Sequence, residues 1–123
     1  VLVPPFFARG ALISLLGGNP NEPGPLHVRL VFPARYRMLP HSHPNDLHIQ
    51  VLQGALVVGL GDKFDLKRTR AMASGDTATV PAGVHYFYAA KGLTILDVTS
   101  EGPFQLHYVH PDNDPSRSTP FGH

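Results

Sequence analysis

The chain contains no cysteine and no tryptophan. The first absence removes disulfides, thiol catalysis and zinc–cysteine sites. Net charge is nearly absent as well. Ten Lys and Arg stand against nine Asp and Glu, a formal +1, so there is no basic field to gather nucleic-acid phosphates. Long apolar runs are also missing. Ala11–Leu16 and Ala55–Leu60, the longest, fall short of the ~18 residues that a membrane span needs. Neither nucleic acid nor a membrane is therefore an expected partner. Long helices are excluded too, because thirteen prolines and twelve glycines interrupt 123 residues without any collagen-like period.

What is present is a foldable chain, 42% apolar and only 15% charged, of a size that gives one hydrophobic core. Eight histidines are its unusual feature. An apolar arm, Val1–Phe7, carries Pro4-Pro5 and is extended. Strands are expected over Ala11–Leu16, His27–Phe32, within His41–Leu52, and over Ala55–Leu60, Thr77–Val80, His85–Ala89, Leu93–Ser100 and Phe104–Val109. Gly54 is read as a break, Pro33 to Pro40 as a corner, and Lys63–Arg70 as a solvated loop or short helix. About nine short strands between turns predict an all-β sandwich or barrel. Residues 1–25 form the arm and first strand, 26–110 the barrel and 111–123 a polar tail. The chain opens at Val1 rather than Met, as expected of a processed N terminus, and the compartment, cytoplasmic or exported, stays open.

His41-Ser42-His43 is the first chemical signal. Residues i and i+2 of a strand share a face, so both imidazoles project the same way. Burying two imidazoles requires partners for them: a metal, a water, a tyrosine hydroxyl or a ligand. Gly54 follows eleven residues after His43, and Gly75, Pro81 and Gly83 follow at set intervals. With Val51-Leu52-Gln53-Gly54, Gly59-Leu60-Gly61-Asp62-Lys63-Phe64-Asp65 and Val80-Pro81-Ala82-Gly83-Val84-His85, this spacing resembles the cupin superfamily, whose motifs read G-x5-H-x-H-x3,4-E-x6-G and G-x5-P-x-G-x2-H-x3-N. The likeness spans about residues 26–110. It implies an all-β jelly-roll (double-stranded β-helix) barrel with a central pocket, and a homodimer formed by pairing strands or packing sheets, with the arm adding to a partner's sheet or capping its own barrel.

The departures from that pattern carry as much information. The first motif glycine falls at Arg35, the glutamate at Leu47, the second-motif histidine at Tyr86 and the final asparagine at Ala90. Similar cupins hold a divalent metal on three histidines and a carboxylate, and this chain keeps His41 and His43 of those four. Alternation puts Leu47, Ile49 and Val51 on the inner face with Tyr86 and Tyr88, while His48, His85 and Phe87 face away. Phe32 or Leu30 closes one end. Only a one-residue register shift would bring His48 and His85 inward as further metal ligands.

The leading functional reading is an enzyme with no obligatory metal. His41, His43 and Tyr86 supply acid–base groups for isomerisation, cyclisation or elimination of a small, largely apolar molecule held by Leu47, Ile49, Val51, Tyr88 and Phe32. The runner-up is a metal-dependent dioxygenase or isomerase with Fe, Mn, Ni or Zn on His41 and His43. A third reading is a non-catalytic binding module. Arg35 and Arg37, just before the histidine pair, are candidate contacts for an anionic group.

Overall fold

A computed structural model describes residues 10–113. The arm expected at Val1–Phe7, most of the expected tail and His123 lie outside them. Eight strands make one antiparallel sheet folded on itself. They are β1 (Leu12–Gly17), β2 (Gly24–Phe32), β3 (Arg37–Ser42), β4 (Leu47–Leu60), β5 (Arg70–Ala73), β6 (Thr77–Val80), β7 (Tyr86–Gly102) and β8 (His107–Tyr108). The 17-residue β7 is the spine. Along one edge it pairs with β4. Along the other it pairs with β3 through its first half and with β2 through its second. The far edge of β4 takes β5 and β6, β1 pairs with β2, and β8 pairs with β3. The result is an all-β jelly-roll barrel.

Alternation decides which side chains fill it. On β2 the even positions Leu26, Val28, Leu30 and Phe32 are buried, as the sequence requires. On β4 the odd positions Leu47, Ile49 and Val51 face inward and then Leu56 takes over. The change of parity occurs where the β4–β7 register shifts, between Val51 and Ala55, around a β-bulge. Gly54 sits there with φ +86°, and a Cβ on it would lie 2.3 Å from the carbonyl oxygen of Leu93. Only glycine fits. Gly54 therefore does not end a strand, as its sequence context suggests. It turns the strand over, and the expected pair of strands around it is the single β4.

The same device delivers the histidines. Met38 pairs with Tyr88 and His41 with Tyr86, so β3 carries one residue more than β7 between these pairs. Pro40 lies in that bulge, where a residue without N–H is tolerated. Met38 and His41, of opposite parity, both point inward at 1% and 0% exposure. The corner predicted from Pro33 to Pro40 is accordingly shorter, because β3 already begins at Arg37. Two further expectations change. His85–Ala89 and Leu93–Ser100 belong to one continuous β7, and Phe104–Val109 is strand only at His107–Tyr108. Eight strands replace the expected nine among the described residues. The expected loop or short helix over Lys63–Arg70 is a loop with one 3-10 turn, Leu66–Arg68, capped by the Asp65 carboxylate, and Arg70 already opens β5. No helix among the described residues is long and apolar enough to cross a membrane.

Candidate active site

His41 enters the barrel at the β3 bulge, and His43 follows just past the end of the strand. Their rings lie 5.1 Å apart, centroid to centroid, and nearly perpendicular. Tyr86, opposite His41 on β7, packs its ring 4.3 Å away. Tyr88 lies 5.9 Å from His41 on the same inner face and 5.6 Å from Phe32. Leu47, Ile49 and Val51 belong to the same buried cluster. The structure thus gathers the two histidines and two tyrosines into one interior.

Hydrogen bonds fix the state of both imidazoles. Nδ1 of His41 lies 2.7 Å from the carbonyl oxygen of Leu39, and Nδ1 of His43 lies 2.7 Å from that of Gln105. A carbonyl only accepts, so each Nδ1 donates and carries the proton. In the neutral ring each Nε2 then holds a lone pair. The Tyr86 hydroxyl donates to Nε2 of His43 at 3.1 Å. Nε2 of His41, fully buried, has no partner among the described residues. Such an acceptor costs about 1–3 kcal/mol unless a donor reaches it.

Burial sets the charge. It lowers His41 from 6.5 to about 3, helped by His43 and opposed by the Leu39 bond. It lowers His43 to about 4, against the Gln105 bond and with a smaller push from His107. Both rings are neutral near pH 7. Burial also raises Tyr86 well above the ordinary tyrosine value, and Tyr88 likewise with help from the neighbouring tyrosines. The tyrosines are therefore hydroxyl donors and not phenolates.

Two aromatic groups that the sequence did not single out complete the site. Phe104 stacks on His43 at 5.8 Å and 9°, and Tyr108 lies 6.2 Å from His41 with its hydroxyl on the sulfur of Met38. Both come from the segment after β7 that closes the end of the barrel. That segment also supplies the Gln105 carbonyl and is tied down by the Val109 N–H on the Pro40 carbonyl. The only sequence signal for it was an aromatic at alternate spacing near a chain end, which has no specificity. Five surface clefts of about 380 to about 620 Å3 lie on the protein, and none of these five is lined by His41, His43 or Tyr86.

The residues predicted to face away do so. His48 is exposed, with Nδ1 3.0 Å from the Thr79 hydroxyl. His85 is exposed and pairs with Asp62. The β4 bulge lies beyond His48, so the register shift that would have turned His48 and His85 inward is absent. Phe87 also leaves the interior and is covered on the outer face by Phe64, 5.1 Å away. His107 and His110 lie on the surface.

No family model matches the sequence, and no curated protein matches it. Solved structures do. An RmlC-like cupin from Shewanella frigidimarina overlays with TM-score 0.63 at 21% identity, covering 76% of this chain and 78% of that one. KdgF from Halomonas sp. gives 0.62 at 21%, covering 77% and 82%. The polyketide cyclase RemF from Streptomyces resistomycificus gives 0.71 at 18%, covering 89% and 78%. The fold is that of the cupin superfamily. The cupin pattern calls for three histidines and a carboxylate around a metal, and this interior holds two of those histidines, His41 and His43. Two lone pairs are offered, and one of them is engaged by Tyr86. The position of the carboxylate is the buried Leu47. Among the described residues no group of three or more His, Cys, Asp or Glu side chains is placed to hold a metal ion. A first-row metal normally takes at least three firm protein ligands to stay loaded, and the donors described in this barrel fall short of that number.

Proposed function

We propose that this cupin-fold chain is an enzyme that binds a small, largely apolar, enolisable molecule inside the barrel and isomerises or cyclises it by acid–base chemistry. The observation that carries this reading is the buried Nε2 of His41, which has no hydrogen-bond partner among the described residues. A buried acceptor calls for a donor, and the acidic C–H or O–H of a carbonyl compound is the donor this reading assigns to it.

The roles follow from the hydrogen bonds. His41 Nε2 takes a proton from carbon next to a carbonyl while its Nδ1–H stays on Leu39. The negative charge moves to the carbonyl oxygen. There the Tyr86 hydroxyl, turning from His43, donates a hydrogen bond without ionising, as its raised pKa allows. Burial disfavours an isolated imidazolium, but here the enolate forms beside it and offsets that penalty. In isomerisation His41 returns that same proton to another carbon; in cyclisation the carbanion attacks a second carbonyl of the same molecule, a C–C bond forms as the C=O π bond opens, and His41 gives its proton to the resulting alkoxide, so no oxidant or reductant is consumed. His43 positions Tyr86. The RemF overlay, over 89% of the chain, favours ring closure of a polyketone-like substrate.

Exchange in D2O tests this without knowledge of the natural substrate. A panel of cyclic and linear β-diketones is incubated with the protein after exhaustive chelation, and deuterium uptake is followed by mass spectrometry. Uptake above background that is lost in His41→Phe is expected. Uptake at background rate across the panel, or activity that appears only after a metal is restored, contradicts the reading.

A further inference from the structure

A second site lies on the outside of the barrel. Val57 on β4, Ala89 on β7 and Arg37 on β3 form one cross-strand row on the outer face. The loop that carries Leu66 covers part of that face. Between this loop and the turn before β3 a cleft of about 380 Å3 remains, floored by Val57, Ala89 and Leu66 and rimmed by Arg35, Arg37 and Lys91. Among the described residues no carboxylate lines it. Arg37 rests its guanidinium 4.9 Å above the Phe64 ring. Neither Arg35 nor Lys91 forms an ion pair among the described residues.

Arg35 supplies the independent observation. It is the non-glycine residue of the described chain with a left-handed backbone, φ +67°. Its N–H bonds to the Ala90 carbonyl, and the Tyr36 N–H closes the turn on Pro33. Side chains with a Cβ are strained there, and glycine is not. The cupin-like spacing puts its first motif glycine at this very position. The chain therefore keeps an arginine against the preference of its own backbone, in a cleft whose other polar groups are also cationic.

We propose that this cleft binds a small amphipathic acid, an aromatic or aliphatic body carrying one carboxylate, with the carboxylate on Arg35 and Lys91 and the body on Val57, Ala89 and Leu66. An arginine fork matches a carboxylate bidentately, and the cleft has the volume of a small-molecule site. The site is separate from the histidine interior and does not depend on the chemistry proposed there.

The test uses 2-naphthoate, with neutral 2-naphthamide and inorganic phosphate as controls, on the intact chain. Binding is read by calorimetry and by amide shifts at Ala89–Gly92. Saturable naphthoate binding, weakened by salt, is expected at those amides. Arg35→Gly is expected to weaken it about tenfold or more and at the same time to raise the melting temperature, a combination that a merely structural arginine does not give. Lys91→Ala, away from the strained turn, is expected to weaken binding with the melting temperature unchanged. Equal binding by Arg35→Gly overturns the proposal. So does a lowered melting temperature in that variant, binding of naphthamide or phosphate as tight as naphthoate, shifts confined to the interior, or cosedimentation with phosphatidylserine vesicles without binding of free naphthoate.

Discussion

The Tyr86 hydroxyl donates to Nε2 of His43 across 3.1 Å inside the barrel. That bond satisfies His43, whereas His41 beside it keeps an open lone pair. Two imidazoles of the same tautomer, side by side, are thereby given different tasks: one holds a hydroxyl, the other awaits a donor.

Removing the hydroxyl separates these tasks. Tyr86→Phe keeps the ring that packs on His41 but leaves His43 Nε2 buried and unpaired. The expected loss of stability is about 1–2 kcal/mol, a drop of about 4 °C in melting temperature per kcal/mol for a domain of this size. Diketone exchange is expected to fall with it. Thermal unfolding followed by circular dichroism checks the first part, and an unchanged midpoint contradicts the bond.

Stability should also depend on pH in a defined window. Both imidazoles titrate near 6.5 in the unfolded chain and at about 3 and about 4 in the fold. Between those limits the unfolded chain binds more protons, so stability rises with pH. Their contribution is complete above about pH 6.5 and declines as pH falls toward 4, by at most about 1.4 kcal/mol per unit for each ring. Asp97, held below its ordinary 3.8 chiefly by the Arg29 hydrogen bond, acts lower down. Urea unfolding from pH 7 to pH 4.5 is expected to show the slope, and His41→Leu/His43→Leu to flatten it. A variant that retains the full slope contradicts the assignment.

The outer edge of the sheet bears on assembly. β1 ends the strand order and leaves Leu12, Leu15 and Leu16 at 60%, 46% and 45% exposure. Among the described residues this edge has no further strand, and an edge with apolar side chains is a pairing surface. We propose that a second copy of the chain covers it. Light scattering is expected to give a dimer that Leu15→Lys converts to monomer. A wild-type monomer at all concentrations refutes the dimer.

Much of this architecture could be read from the chain, and the failures have a common physical cause. Period-two burial on β2 and at Leu47, Ile49 and Val51 was legible because those segments are regular. The inward tyrosines and outward His48 and His85 followed from the same parity. Bulges were not legible. Proline and glycine look like breaks in a sequence, yet Pro40 and Gly54 sit inside continuous strands and switch which face points inward. The histidine pair was found by spacing. Its hydrogen-bond partners were not, because two of them, the carbonyls of Leu39 and Gln105, are backbone atoms that leave no trace in residue identity. Phe104 and Tyr108 reach the site through the path of the chain after β7, which no local pattern specifies.

The proposed chemistry needs neutral imidazoles that carry their protons on Nδ1 and leave Nε2 unprotonated. Long-range proton–nitrogen correlation spectra of the histidine side chains, recorded at about pH 5 where an ordinary histidine with its value of 6.5 is already charged, read this directly. His41 and His43 are expected to remain neutral, with the protonated-nitrogen signal at Nδ1 and the lone-pair signal at Nε2. A charged ring at that pH, or a proton on Nε2 of His41, contradicts the account.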